Sequence, residues 1–142
     1  MIAQQDYLLD TGIANLAALD NPRVLAKMAQ ATFLYVPAIV LGELYFGAYF
    51  YAYRHQSTKF LDRYDTFYAR NKTQIILCDE ETAQIYGAIT AELRAQAQPI
   101  QQNDVWIAAL ARQHSLTLAT VDTDFHRINR FHRISRLAVE IW

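Results

Sequence analysis

The sequence predicts an α/β domain with a short, mainly parallel sheet of four to five strands and helices on both faces. Three observations carry that prediction. Short apolar runs alternate with segments whose apolar residues recur every three to four positions. Glycine and proline are few, four and three in 142 residues, which argues against a turn-rich β-sandwich. Hydrophobic residues make up 53% and charged residues 19%, which suffices for a core and excludes a disordered chain. No repeat, low-complexity segment or linker interrupts the pattern, so residues 1–142 are expected to form one domain.

The elements follow in order. Tyr7-Leu8-Leu9, stopped by Asp10-Thr11-Gly12, suits a short buried strand. Ile13, Leu16, Ala17 and Leu19 then recur at helical spacing, until Asn21-Pro22 breaks that helix and opens another carrying Val24, Leu25 and Met28. Phe33-Leu34-Tyr35-Val36 reads as a second strand, and Pro37 fits the first position of a long helix to about Tyr53. A helix over Gln56 to Arg70 precedes a third strand, Thr73 to Cys78. Asp79 is a natural N-cap, with Glu80 and Glu81 in the first turn of a helix to about Gln98, which Pro99 stops. A further helix starts near Asn103, a fourth strand covers Leu116 to Thr120, and a last strand is possible over Leu137 to Ile141.

Composition bounds the function. The net charge of −1 creates no global field for nucleic acid, so any such role needs a local patch. The single cysteine, Cys78, excludes an internal disulfide and a cysteine zinc site, and its apolar run suggests a small buried thiol. The start, Met1-Ile2-Ala3-Gln4-Gln5-Asp6, has neither a basic stretch nor a long apolar one. Phe33 to Gly42 is too short to span a bilayer, and a reducing, cytoplasmic location without membrane contact is expected.

The informative residues are acidic. Asp10 closes the first strand and Asp122 lies two residues beyond the fourth, so both fall where an α/β crevice forms. Glu43 is the one charged residue between Ala38 and Tyr49, and needs an arginine, a set of donors or a metal to compensate it. Asp104 heads a helix that stays uncharged from Val105 to Ala111. Each also has an ordinary explanation: Asp10 as an N-cap, Asp104 as a partner of the helix dipole, Asp122 as a turn acid, Glu43 as half of an ion pair. Asp124 reads as a cap or as a support for a neighbouring carboxylate. If the four converge, their repulsion calls for a cation, and oxygen donors without thiol or imidazole spacing suit Mg²⁺ rather than zinc.

At this point the chain resembles the PIN-domain ribonucleases, and within them the VapC-type toxins of toxin–antitoxin pairs. The matching pieces are Leu8-Leu9-Asp10-Thr11, then Gly42-Glu43-Leu44 followed by Gly47, then Asn103-Asp104 leading into Ile107-Ala108-Ala109, and Thr117 to Asp122. The tail from Phe125 through Ile128 to Trp142 also looks like that family's ending. The resemblance implies a PIN-like three-layer sandwich and a Mg²⁺- or Mn²⁺-dependent endoribonuclease. Its acidic quartet would be Asp10, Glu43, Asp104 and, after the fourth strand, Asp122 or Asp124, with Asp122 preferred because it follows the Thr-x-Asp pattern; one or two cations would sit on Asp10, Asp104 and Asp122, with Glu43 binding directly or through water. Thr11 and Thr120 look like hydroxyls that orient a carboxylate or a water, and Asp124 an added support. Gly12 stands where an asparagine is common in the family, so one donor is expected to be missing there.

Two surfaces bear on partners. Arg127, Arg130 and Arg133 lie in a basic segment interleaved with Phe125 and Phe131, suited to RNA phosphates and unpaired bases. Tyr45, Phe46, Tyr49, Phe50, Tyr51 and Tyr53 crowd nine positions. They belong either to a helix packed on two sides or to an exposed groove; the resemblance favours the groove, as a seat for a VapB-like antitoxin, and implies a homodimer. The competing function classes are a catalytically inactive PIN-like scaffold that binds protein or RNA, and a plain α/β domain with four unrelated caps.

Overall fold

The computed structural model describes residues 5–71, 73–126 and 137–142. Its elements are β1 (Asp6–Leu9), α1 (Thr11–Ala18), α2 (Pro22–Gln30), β2 (Phe33–Pro37), α3 (Ala38–His55), α4 (Lys59–Asn71), β3 (Gln74–Ile76), α5 (Glu80–Ala95), α6 (Gln102–Gln113), β4 (Thr117–Thr120) and β5 (Val139–Ile141). The strands form one sheet in the order β3-β2-β1-β4-β5, and every pairing is parallel.

Local chemistry sets the helix starts. The Asp10 side chain accepts from the Ile13 amide and the Asn21 side chain from the Val24 amide, each satisfying a donor that a helix N-terminus leaves free. Asp79 and Thr82 form a reciprocal capping box, and Gln113 at the end of α6 donates to Asp79 at 2.8 Å, tying α5 to α6.

The strand order reverses at β1. Connections from β1 to β3 step toward one edge; the path from β3 crosses back to β4. Since parallel crossovers are right-handed, α1 to α4 lie on one face and α5 and α6 on the other. The packing agrees: α1 lies against α2, α3 and α4, while α5 pairs with α6. Leu8, Leu9, Ile13, Ile107, Leu110 and Leu118 are fully buried between the layers, each worth about 1.5–3 kcal/mol of apolar transfer. Ala108, Ala109 and Ala111 of α6 are buried as well.

Three expectations are corrected. Pro37 is the last residue of β2, and α3 begins at Ala38. The helix expected from Gln56 begins at Lys59, because Gln56 ends α3 in the left-handed region at φ 53°. Cys78 is exposed rather than buried. The reason is topological: β3 is an edge strand whose ladder ends with Pro37 opposite Ile76. Beyond that point β2 has become α3, so Leu77, 68% exposed, and Cys78 have no neighbouring strand to cover them. The basic segment 127–136 lies outside the described residues.

Candidate active site

The crevice of an open parallel sheet forms where the strand order reverses, at the strands' carboxyl ends. Here that point lies between β1 and β4, and Asp10 and Thr120 stand there side by side. Register pairs Leu9 with Ala119, and the Asp10 amide donates to the Ala119 carbonyl at 3.2 Å. Asp10 is only 6% exposed. One carboxylate oxygen caps α1 through Ile13, and the other accepts from the buried Thr120 hydroxyl. That hydroxyl in turn accepts from the Asp122 amide at 2.9 Å. Asp122 Oδ1 accepts from the Asp124 amide at 2.8 Å, which fixes the bend. The end of β4 is pinned from beyond as well, since the Trp142 amide donates to the Thr120 carbonyl at 3.0 Å.

Glu43 reaches the same place from α3. Its Oε2 accepts from the Thr11 hydroxyl at 3.0 Å and its Oε1 from the Asn103 side-chain amide at 3.1 Å. Two neutral donors from α1 and α6 thus orient it. Asp104 follows Asn103 in the first turn of α6 and is half-buried.

The electrostatics place these groups in one field. Burial pushes the Asp10 carboxyl up; the bonds from Thr120 and Ile13 pull it back, and the charges of Asp122 and Glu43 raise it further. Burial also raises Asp104, and the charges of Asp122, Glu43, Asp10 and Asp124 reinforce the effect, to about 6. Asp122 acts on both groups, whereas Asp124 is the weakest of the four charges acting on Asp104.

Whether these residues suit a metal is a question of donor chemistry. The charges acting on Asp10 and Asp104 all belong to carboxylates, hard oxygen donors of the kind Mg²⁺ and Mn²⁺ take. Among the described residues no three Asp, Glu, His or Cys side chains form a ready-made cage. The fit is therefore one of charge and donor type.

The structure brings Asp10, Glu43, Asp104 and Asp122 into one cluster, with Thr11 and Thr120 bonded to two of them. Asp10 is also an N-cap, so its two readings are compatible. Arg127, Arg130 and Arg133 lie outside the described residues. Asn103 is the contact that sequence reasoning did not assign, although it stands beside Asp104 in the quoted motif. Through it a side-chain amide reaches the pocket from α6, while Gly12 on α1 offers none.

The aromatic run of α3 is divided between two sides. Tyr45 is held to α4, donating to Asp65 at 2.9 Å, and Tyr51 packs edge-on against Phe60. Phe46, Tyr49, Phe50 and Tyr53 face outward, with Phe46 70% and Tyr53 81% exposed. Phe46 and Phe50 stack, and the Arg54 guanidinium lies 5.6 Å from the Phe50 ring centre.

A parallel sheet in this order, with acids from β1, α3, α6 and the end of β4 at its switch point, is the arrangement of a PIN domain. The PIN domain family model matches residues 7–131, and the chain belongs to that family. Among its relatives, ribonuclease VapC2 of Haemophilus influenzae is 29% identical over 138 residues, covering 96% of this chain and 97% of that protein. Toxin FitB of Neisseria gonorrhoeae is 31% identical over 121 residues, covering 82% and 87%. In three dimensions the chain resembles VapBC2 from Rickettsia felis, solved bound to a DNA fragment from its promoter, with a TM-score of 0.79 and 26% identity. That match covers 97% of this chain and 99% of the other. Among the described residues no helix is long and apolar enough to cross a membrane.

Proposed function

We propose that this chain, acting as a single domain, is a Mg²⁺- or Mn²⁺-dependent endoribonuclease of the VapC type, inhibited by a VapB-like antitoxin. The observation that carries the reading is the linked set of acids at the switch point: Thr120 joins Asp10 to the Asp122 amide, and Thr11 and Asn103, the neighbours of Asp10 and Asp104, both bond Glu43. A domain gains nothing in stability from gathering such charge, so the cluster serves a ligand. The kinship with ribonuclease VapC2 and toxin FitB supplies the reaction class.

Asp10, Asp104 and Asp122 would hold the ion, which would supply charge neutralisation at the phosphate and a more acidic water. The Ile13 amide and the Thr120 hydroxyl each bond one carboxylate oxygen of Asp10, which fixes its orientation. Glu43, oriented by Thr11 and Asn103, accepts the proton from the attacking water. Water adds to phosphorus as its proton passes to Glu43, the ester bond to the sugar oxygen breaks, and that oxygen leaves as an alcohol with a proton from solvent.

The exposed aromatic face of α3 takes the antitoxin, an apolar segment that carries a basic side chain toward the acids and replaces the cation there. RNA contacts fall to Arg127, Arg130 and Arg133, and two copies pair as a homodimer. The test is cleavage of a defined RNA by purified protein. Activity that needs Mg²⁺ or Mn²⁺, stops with chelator, and is lost in folded Asp10→Asn supports the proposal. Equal cleavage by wild type and Asp10→Asn overturns it.

A further inference from the structure

We infer that Gly12 is a positioning residue for the acidic cluster, because its missing side chain is what lets Val121 seat the β4 bend against the first turn of α1. The inference rests on the metal-dependent reading above and concerns how this chain keeps Asp122 close to Asp10. Gly12 follows Asp10 and Thr11 in that turn, and its backbone φ is one any residue adopts, so the position needs no glycine for conformation. What it needs is room. A Cβ there would meet Val121 Cγ2 at 3.1 Å and Asp10 Oδ1 at 3.6 Å, whereas Gly42, Gly47 and Gly87 have nothing within 4 Å.

Val121 is the middle of three residues whose ends are held. On one side Thr120 bonds Asp10 through its hydroxyl and Trp142 through its carbonyl. On the other, the Asp122 amide is tied to that same hydroxyl at 2.9 Å. A methyl at 12 asks Val121 to give by a few tenths of an ångström, and on this inference the held bend, rather than the Val121 side chain alone, takes up that shift and moves Thr120 and Asp122 beside Asp10. Val121 is itself 48% exposed, so trimming it empties no core. Gly12 and Val121 should behave as a bump and a hole: adding a methyl at 12 disturbs the cluster, and removing side-chain bulk at 121 restores it.

The experiment is a Mn²⁺ titration of the melting temperature for wild type, Gly12→Ala, Val121→Ala and the double variant, each scored against its own metal-free melt. Alanine favours a helix over glycine, so a local structural effect alone moves the metal-free melt and leaves the Mn²⁺ response unchanged. The expected result is a Mn²⁺ half-saturation about fivefold or more higher in Gly12→Ala, with Val121→Ala and the double variant within about twofold of wild type. If Gly12→Ala fails to fold, the double variant must fold and bind Mn²⁺ like wild type. An unchanged Gly12→Ala response, or a double variant that stays impaired, overturns this inference alone. A wild type with no Mn²⁺ response overturns the metal reading and takes this inference with it.

Discussion

Replacing Asp104 by asparagine removes one charge from the cluster while keeping the side chain's shape, and it should stabilise the metal-free protein while abolishing cleavage. The carboxyl is pushed from 3.8 up to about 6 by burial and by the charges of Asp122, Glu43, Asp10 and Asp124. Because the folded value lies above the unfolded one, protonation favours the fold. That stability is complete below about pH 4 and is lost as pH rises through about 6. At roughly 1.4 kcal/mol per pH unit the ionised form costs ~3 kcal/mol before screening, and half-exposure reduces this to ~1.5 kcal/mol. Asparagine also forfeits the attraction of a first-turn acid to the helix dipole, about 0.5 kcal/mol. Repulsion wins by ~1 kcal/mol, or about 3–4 °C in Tm for a chain of this size. The assay is thermal melting with chelator at pH 7.5 and pH 4. Asp104→Asn should melt higher at pH 7.5, and at pH 4 that advantage should disappear. A variant no more stable than wild type at pH 7.5, or one whose advantage persists unchanged at pH 4, refutes the reasoning.

Other expectations follow from the same contacts. Thr120→Val removes the hydroxyl that donates to Asp10 and accepts from the Asp122 amide. It should cost about 1–3 kcal/mol in denaturant titrations and weaken the Mn²⁺ response, because a part-buried amide and a buried carboxylate each lose a partner. Phe46→Ser combined with Tyr53→Ser should abolish capture by a co-expressed antitoxin and leave RNA cleavage intact, since both side chains are exposed and neither takes part in the hydrogen bonds that hold Glu43. Inhibition by antitoxin that survives this double change places the docking surface elsewhere.

Much of the fold was legible because its signals are local. The apolar run before Asp10, the Asn21-Pro22 break and the Asp79 cap each mark an element boundary within a few residues. Long-range facts were less visible. Cys78 looked buried because Ile75-Ile76-Leu77 reads as a core strand; its exposure depends on where β2 ends, forty positions earlier in the chain. The ends of α3 and α4 shifted because one residue, Gln56, adopts a left-handed conformation that its type does not announce. The acids of the cluster stood out as charges in apolar or strand-end settings. Asn103 did not, because a neutral amide at the head of a helix is unremarkable until Glu43, sixty residues away, is found within 3.1 Å of it. Gly12 likewise gains meaning only once Val121 is seen against it.

The central claim is that Asp10 just after β1, Asp104 on α6 and Asp122 beyond β4 hold a cation, with Glu43 of α3 beside them as the base. Anomalous X-ray scattering from a crystal soaked in Mn²⁺ tests it most directly. The account requires a manganese peak bonded to Asp10 and Asp104 at the ends of β1 and α6, absent from Asp10→Asn crystals soaked identically. A well-ordered wild-type site with no peak there, or a peak that survives in Asp10→Asn, contradicts it.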